Sequence, residues 1–342
     1  MRIACIALVL SFVLSPAGAF EIEAKRSYPS VEEGSMLSII STADVEVFEP
    51  IIFEFQKRNP DIAIDYVVAS SSEVMRALHD ENASYDLGIS SAMDLQTKLA
   101  NDGFTMRYVS DATSLLPDWA TWRDRVFAFT QERAVLVISE STFEDLPIPN
   151  NREDLIELLR EYPEIFDGRI GTYDVRTSGT GYLFATQDSR NTESFWRLTE
   201  VMGRLNTKLY CCSGAMLADV ASGKLAFAYN VLDSYANSKL GDTPGIVTVE
   251  MDDFVSVMLR TAIIPNTVKN FEAAGTMIDF LAELGNYPEL VEQTGLPPVE
   301  ARDSYDSQSV RPIRLGPGLM VFLDKMRKES FLRSWVNSIE QR

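Results

Sequence analysis

The sequence predicts an α/β protein whose sheets are mostly parallel. Between residues 36 and 101, short apolar runs alternate with amphipathic segments in the order strand, helix, strand, helix, strand, helix. Serine and threonine follow several of the apolar runs, as is typical of loops at the carboxyl ends of parallel strands. The 342 residues, 46% of them hydrophobic, are enough for two domains or for one large one.

The first third of the chain shows the clearest alternation. Apolar runs predict the strands, and apolar side chains at helical spacing, such as Val47, Ile51 and Phe55, predict the helices. The predicted elements are a loose arm at 20–35, a strand at 36–41, a helix at 47–59, a strand at 62–68, a helix after 70–72, a strand at 86–91 and a helix at 95–101.

The remainder of the chain repeats both patterns without an internal sequence repeat. Extended segments are predicted where β-branched and aromatic residues cluster, and helices where leucines share one face. The predicted elements are extended segments at 126–130 and 134–139, a helix at 152–162, a strand at 170–173, helices at 193–205 and 217–221, a strand at 225–230, extended segments at 245–250 and 255–264, a helix at 271–284 and a helix or helix pair at 319–339.

The turn after the strand at 170–173 is the main candidate for a binding site. Ser178, Gly179 and Thr180 offer hydroxyls and unhindered backbone N–H groups at a predicted helix start, where the helix dipole favours an anion. Arg176 precedes the turn and offers a guanidinium fork for a phosphate or carboxylate. From these residues alone, a simple helix cap by Thr177 or Ser178 is the more economical interpretation.

Five further polar residues strengthen the case for binding, because they share a position in the predicted sheet. Each follows a predicted parallel strand, and the carboxyl ends of such strands meet at one edge. Individually each is an ordinary turn or cap residue, but together they predict one polar lip. They are Ser41, Thr42, Ser70, Ser71 and Ser91.

The charge balance excludes several kinds of partner. Lys and Arg number 31 against 50 Asp and Glu, a net charge of −19. Such a surface argues against binding of nucleic acid and against a polybasic membrane contact, and it favours a monomer. A small anionic ligand remains compatible, because backbone and hydroxyl donors act locally.

The N-terminus has the pattern of a secretory signal. Arg2 precedes an apolar run that is too short to span a bilayer, and the run ends in an Ala-x-Ala site. We therefore expect residues 1–19 to be removed after Ala19 and the mature protein to be free in a periplasm, without a membrane insertion.

The few thiols and the single histidine argue against metal and cofactor chemistry. Cys211 and Cys212 remain after cleavage, and a disulfide between neighbours is strained, so two reduced and buried thiols are the favoured interpretation. No metal-ligand spacing is present. His79 has no partner histidine, so neither a zinc site nor a Ser-His-Asp triad is expected. We expect no metal and no cofactor.

In their order, several segments resemble the type II periplasmic substrate-binding proteins of ABC transporters, especially the branch of ferric-iron, sugar-phosphate and phosphoglycerate binders. The segments are FEFQKRNP at 53–60, YDLGISS at 85–91, SGT at 178–180, GKLAFAYN at 223–230, AIIP at 262–265, KNFEAA at 269–274 and RPIRLGP at 311–317. The resemblance covers nearly the whole mature chain.

The resemblance implies two α/β lobes that close on a ligand about crossing strands near 127–138 and 248–259. It divides the chain into 36–128 for the first part of lobe 1, 129–250 for lobe 2, and 251–342 for the return to lobe 1. The partner would be an ABC permease or a membrane sensor kinase. Each lobe would contain a mostly parallel sheet with flanking helices.

One difference between this chain and the iron-binding members of that branch argues against a ferric ion as the ligand. Iron-binding relatives carry adjacent tyrosines after the second-lobe strand, whereas this chain has Tyr229 and Tyr235 six positions apart. A small organic anion, phosphorylated or not, fits the donors better, and Asn230 and Asp233 would hold hydroxyls or an amine on it. The alternatives are a ferric ion with a synergistic anion, and an exported hydrolase using a carboxylate pair drawn from Asp86, Asp94 and Asp233.

Overall fold

The computed structural model describes residues 20–240, 244–299 and 309–341, so the predicted signal segment lies outside the described residues. The strands within these ranges are β1 Ala24–Tyr28, β2 Ser35–Ser41, β3 Ile62–Val68, β4 Leu87–Ser90, β5 Thr121–Trp122, β6 Val126–Ser139, β7 Ile170–Tyr173, β8 Lys208–Tyr210, β9 Phe227–Leu232, β10 Ile246–Val249, β11 Val255–Ile263 and β12 Val310–Pro312.

The helices surround these strands and follow them in sequence, as the alternation predicts. They are α1 Val45–Arg58, α2 Ser71–Met75, α3 Met93–Asn101, α4 Asp111–Ser114, α5 Arg152–Glu161, α6 Pro163–Phe166, α7 Gly179–Asn191, α8 Ser194–Arg204, α9 Ser213–Ala221, α10 Asp233–Leu240, α11 Phe271–Ala282, α12 Pro288–Thr294 and α13 Lys325–Ile339. Short segments of π helix lie at Arg76–Asp80 and of 3-10 helix at Leu284–Asn286 and Pro317–Leu323.

The first lobe is built on a parallel centre with antiparallel additions. β2 pairs in parallel with β3 on one side and with β4 on the other. β11 then joins β4 in the antiparallel sense, and β6 joins β11 in the same way. Nearly all residues of β3, β4 and β11 are buried, which fits strands that are covered by helices on both faces.

The second lobe repeats this arrangement. β7 pairs in parallel with β8 and with β9, and β9 pairs antiparallel with β6. β10 pairs antiparallel with the other edge of β6. Each lobe thus has a parallel centre that is extended by antiparallel strands, and the predicted α/β fold class is confirmed.

One long strand carries the chain from the first lobe into the second. Residues 127–133 of β6 pair with β11, and residues 134–138 pair with β9. The chain returns between β10 and β11. Both crossings lie within the segments that the sequence indicates for them.

The C-terminal helix lies outside the lobe to which the sequence assigned it. α13 packs against α8 of the second lobe, and it buries Phe331, Trp335 and Ile339 in that lobe's core. These three residues recur every four positions, so they form one apolar stripe. A Cβ on Gly203 of α8 would lie 2.3 Å from the backbone oxygen of Ser338, which shows how closely the two helices approach.

The segment before the first predicted strand is also more ordered than expected. Instead of a loose arm, residues 24–28 form β1, an edge strand antiparallel to β3. The backbone N–H of Glu23 extends this pairing by donating to the oxygen of Val68. β1 therefore places Glu23 beside the carboxyl end of β3.

Candidate functional site

The two lobes face one another across a cleft formed at the carboxyl ends of their parallel strands. The loops after β2, β3 and β4 contribute one wall, and the loops after β7, β8 and β9 contribute the other. This is where open α/β sheets bind ligands. Of the residues that the sequence proposed as ligand contacts, the cleft is lined by Thr42, Ser70, Ser71, Ser91, Ser178 and Thr180.

The hydroxyls of this polar lip connect the two lobes directly. Ser91 Oγ lies 2.6 Å from Thr180 Oγ1, and the backbone N–H of Gly179 donates to Ser71 Oγ at 2.8 Å. A third bridge runs from the hydroxyl of Ser72 to the carbonyl oxygen of Thr177 at 2.6 Å. The lobes are therefore in contact here, and a cavity of only about 40 Å³ remains between them.

Three of the predicted hydroxyls also hold local structure, as the simple cap interpretation requires. Ser178 Oγ accepts from the N–H of Gly181 at the start of α7, and Ser70 Oγ accepts from the N–H of Glu73 at the start of α2. Ser41 is fully buried, and its Oγ accepts from the N–H of Ala43. Ser178 and Ser70 therefore both cap a helix and line the cleft. Ser41 does not line the cleft, so the predicted lip does not include it.

The structure places two other predicted site residues, Arg176 and Thr177, away from the cleft lining. Arg176 lies near the surface, where it pairs with Asp174 at 2.7 Å and with Glu340 at 2.5 Å. Glu340 directly follows α13. The sequence assigned α13 to the first lobe, so a contact between Glu340 and Arg176 of the second lobe could not be predicted. Thr177 is exposed and reaches the other lobe only through its backbone oxygen.

Asn230 and Asp233 are likewise engaged elsewhere. The amide of Asn230 donates to Asp188 Oδ2 at 2.9 Å, within a buried cluster of the second lobe that includes Arg152. Asp233 Oδ1 accepts from the backbone N–H of Arg133, at the point where β6 crosses between the lobes. Both side chains therefore stabilise the second lobe and its junction, and neither lines the cleft.

Arg260 is a candidate site residue that the sequence patterns did not indicate. It lies on β11, is fully buried and lines the cleft. Its Nε and Nη2 donate to the two oxygens of Glu132 at 2.8 and 2.9 Å, in a bidentate pair with no solvent exposure. Nη1 has no hydrogen-bond partner among the residues that the structure describes. One charged donor at the cleft is therefore left for a ligand.

The surroundings of Arg260 keep the guanidinium charged and the neighbouring phenols neutral. Burial alone would lower the pKa of Arg260, but the carboxylate of Glu132 raises it above its ordinary value. Burial raises the pKa of Tyr66 and of Tyr235. Hydroxyls of Thr130 and Ser234 donate to Glu132 and complete its coordination. Both carboxylate oxygens of Glu132 therefore accept hydrogen bonds, whereas Nη1 of Arg260 has no acceptor among the described residues.

A signal for this pair does exist in the sequence. Arg260 is the single charged residue in the apolar run VSVMLRTAI of β11, the first-lobe strand that directly follows the second crossing. Glu132 falls in the middle of the first crossing segment, β6. A charge within a strand that must be buried on both faces requires a partner. Sequence patterns are local, so they could not indicate that these two charges, 128 positions apart, pair with each other.

The rim of the cleft carries two carboxylates. Glu23 lies on the first-lobe side at the start of β1, and Asp44 is the residue before α1. Asp44 reaches towards the second lobe, since its Oδ2 lies 3.4 Å from the position that a Cβ on Gly214 would occupy. Partial burial and then Asp44 and Glu21 raise the pKa of Glu23. The rim is therefore electronegative, opposite in sign to Arg260.

Cys211 and Cys212 form a disulfide, which corrects the expectation of two buried thiols. The bond lies at the cleft, with Cys211 exposed and Cys212 half-buried, so these residues are not core packing. The carboxylate of Glu23 and the two sulfurs lie within 4.8 Å of one another. Because the sulfurs are bonded to each other, they are not thiolates that hold a metal ion.

The disulfide gives a prediction for chemical labelling of the mature chain. We expect iodoacetamide to modify neither cysteine without a reductant and to modify both after reduction with dithiothreitol. Reduction should leave the thermal midpoint almost unchanged, because the bond closes no long loop in the unfolded chain. Mass spectrometry of labelled peptides measures the first outcome. Labelling before reduction would restore the interpretation of free thiols.

The carboxylates considered for hydrolysis do not form a catalytic pair. Asp86 accepts four hydrogen bonds, from the N–H and hydroxyl of Ser38 and from the N–H groups of Lys269 and Asn270. It thereby ties β4 to the start of α11. Asp94 is fully buried on α3, and its Oδ1 has no hydrogen-bond partner in the described part of the chain. With Asp233 at the crossing, the three acids have separate structural surroundings.

Asp94 gives a prediction for the dependence of stability on pH. Burial raises its pKa to about 7, so the folded state holds this proton more tightly than the unfolded state does. The stability that the neutral acid provides is complete below about pH 4 and is lost as the pH rises towards 7. Asp94→Asn should therefore be more stable than the wild type by up to about 4 kcal/mol near pH 8, and by little near pH 4.

Urea unfolding at the two pH values measures this difference. Asp233, whose pKa is also raised to about 7, mainly by burial, is present in both proteins, so its titration cancels in the comparison. A stability difference that is the same at both pH values would show that Asp94 does not titrate in this range.

Two α/β lobes with a common cleft and a crossing strand define a two-lobe binding protein. No protein-family model matches the sequence, and no curated protein matches it. The similarity is found among solved structures. The chain is similar to a substrate-binding protein of an ABC transporter from Agrobacterium tumefaciens, with 29% identity and a TM-score of 0.87 over 92% of this chain and 98% of that one.

Two further structures share the fold at lower identity. One is the periplasmic binding protein AfuA from Actinobacillus pleuropneumoniae with fructose-6-phosphate bound, at 15% identity and a TM-score of 0.73 over 90% and 99% of the two chains. The other is iron-bound HitA from Pseudomonas aeruginosa, at 14% identity and 0.67 over 89% and 99%. The resemblance inferred from the sequence is confirmed: this chain has the two-lobe fold of these substrate-binding proteins and is similar along nearly its whole described length to one that belongs to an ABC transporter.

In the described ranges, no helix combines the length and the apolar character that a membrane crossing needs.

Proposed function

We propose that this protein captures a small organic anion between its two lobes and delivers it to an ABC permease. The observation that carries the proposal is Arg260: a buried guanidinium at the cleft, with Nη1 unpaired among the described residues. An unpaired buried donor of this kind costs free energy, which a ligand oxygen would recover through a charge-assisted hydrogen bond.

The polar lip supplies the other donors. The hydroxyls of Ser91 and Thr180 and the N–H of Gly179 now bond across the cleft. An anion that entered between the lobes would replace these bonds with bonds to its own oxygens. Because the cavity between the lobes is only about 40 Å³, entry requires the lobes to separate about the two crossings, within β6 and between β10 and β11, and then to close again.

The similarities support the role and the location. The relative from Agrobacterium tumefaciens is named as part of an ABC transporter, and AfuA as a periplasmic protein with a sugar phosphate bound. We infer that residues 1–19 direct export and are removed after Ala19, and that the mature protein acts in a periplasm as a monomer. Presentation of the ligand to a membrane sensor kinase is the alternative to delivery to a permease.

Titration calorimetry on the mature protein tests the proposal. We expect at least one member of a panel of sugar phosphates, phosphoglycerates, phosphonates and dicarboxylates to bind, and spermidine not to bind. Binding of spermidine without binding of any anion would contradict the proposal, because a cation alone would then be the ligand.

A ferric ion is the second candidate, since Tyr173 and Tyr235 both line the cleft. Iron would require them as phenolates, yet burial raises the pKa of both, and Arg260 would repel the metal. We therefore rank this function second. A visible charge-transfer band after loading with ferric citrate would favour it, and a colourless protein would leave the anion as the ligand.

A further inference from the structure

We propose that the ligand is a zwitterion, a small anion that also carries an ammonium group, with the anion on Arg260 and the ammonium on Glu23 and Asp44. The inference rests on the proposed function and specifies the substrate class for the same cleft. Charges of both signs line this cleft: the guanidinium of Arg260, and the carboxylates of Glu23 and Asp44.

The positive charge offers one donor to a ligand. Two of the guanidinium nitrogens are fixed by Glu132, so only Nη1 remains for a ligand. Arg260 is fully buried, so this donor cannot be satisfied by bulk water while the lobes are in contact. The anionic group of the ligand therefore belongs at this end of the cleft.

The negative charges define the other end. Glu23 and Asp44 are close enough for Asp44 to act on the titration of Glu23, and within the described ranges no lysine or arginine forms an ion pair with Glu23. Tyr235 lines the cleft together with both charged groups: its hydroxyl accepts from the N–H of Asp44, and the charge of Arg260 acts to lower the pKa of its phenol, which burial raises. A cation placed at Glu23 and Asp44 would relieve the repulsion between them.

A simple anion does not fit both ends. Its charge would be attracted by Arg260 and repelled by two carboxylates in a cleft from which closure excludes water, where such terms are strong. An ammonium group on the ligand would be attracted by Glu23 and Asp44, so it replaces this repulsion with attraction. The charge pattern therefore discriminates between ligands that differ only in that group.

The test uses pairs of probes in which a terminal ammonium replaces a methyl group: O-phosphoethanolamine and propyl phosphate, taurine and propane-1-sulfonate, β-alanine and butyrate. Calorimetry on the mature protein should show that the ammonium member of at least one pair binds about tenfold or more tightly than its alkyl partner. Glu23→Gln should reduce that ratio several-fold. Glu32→Gln removes an equal charge from a loop outside the cleft lining and should leave the ratio as it is.

The outcomes separate the two proposals. If the alkyl member of every binding pair binds as tightly as the ammonium member, the zwitterion inference is overturned while capture of an anion stands. If no probe and no anion of the wider panel binds, both proposals fail. A ratio that Glu23→Gln leaves unchanged would overturn the placement of the ammonium at Glu23, and circular dichroism confirms that the variant is folded.

Discussion

Replacement of Arg260 by methionine is expected to abolish anion binding and to destabilise the protein at the same time. The guanidinium supplies the charged donor at the cleft, and loss of a buried charged hydrogen bond costs about 2–5 kcal/mol of binding free energy. The same change leaves Glu132 buried without its cation, at a cost of about 3–5 kcal/mol in unfolding free energy. Calorimetry and urea unfolding measure the two effects separately.

The double variant Arg260→Met with Glu132→Gln distinguishes binding from stability. Removal of both charges leaves no uncompensated ion, and the hydroxyls of Thr130 and Ser234 still have a polar partner at position 132. Much of the lost stability should therefore return. Binding should not return, because the donor at Nη1 is absent from both variants.

The matched single variant Glu132→Gln completes the thermodynamic cycle. It keeps Arg260 and its free Nη1, so it should retain part of the affinity even though it is destabilised. If Arg260→Met with Glu132→Gln bound the anion as tightly as the wild type, the role of Arg260 would be structural, as the partner that ties β11 to Glu132 of β6. The ligand would then depend on the hydroxyl lip alone.

The fold was largely predictable because its information is local. The apolar runs that become β2, β3 and β4 and the helical spacing of α1 are short-range patterns, and their alternation restricts the sheet to a parallel centre. The strand ends then bring Thr42, Ser91 and Thr180 to one cleft without any knowledge of side-chain contacts.

The parts that sequence reasoning could not supply depend on contacts between distant residues. The apolar stripe of α13 shows that one face of the helix is buried, but it does not show against which lobe. The pairing of Glu340 with Arg176 depends on that choice, so it could not be predicted. Likewise Asn230 follows a strand as a ligand contact would, yet its amide is drawn to Asp188 within the second lobe. The register of β6 on β11, which joins Glu132 to Arg260, has no local signature.

Replacement of Gly179 by alanine is expected to hold the lobes apart without damaging either lobe. A Cβ at this position would lie 2.8 Å from Ser71 Oγ, 2.9 Å from Leu95 Cδ1 and 3.1 Å from Ala92 Cβ. All three atoms belong to the first lobe, whereas Gly179 begins α7 of the second. The collision exists only when the lobes are in contact, so its cost of about 1–3 kcal/mol falls on closure.

The expected result is weaker binding, by a factor of about five to more than a hundred, and a larger radius of gyration in X-ray scattering with ligand present. Gly318→Ala is the matched control, because a Cβ there has no neighbour within 4 Å. Gly181→Ala gives a contrasting outcome. Its Cβ would lie 2.3 Å from the Cβ of Tyr173 in the same lobe, so it should lower the thermal midpoint instead.

An unchanged affinity and an unchanged scattering profile for Gly179→Ala would have a specific meaning. The lobes in the bound state would then be further apart than they are here, with room for a methyl group beside Ser71. The hydroxyls of Ser91 and Thr180 would face the ligand from opposite walls without contacting each other. Arg260, which lies on the first-lobe strand β11, would remain the donor whose position does not depend on how far the lobes close.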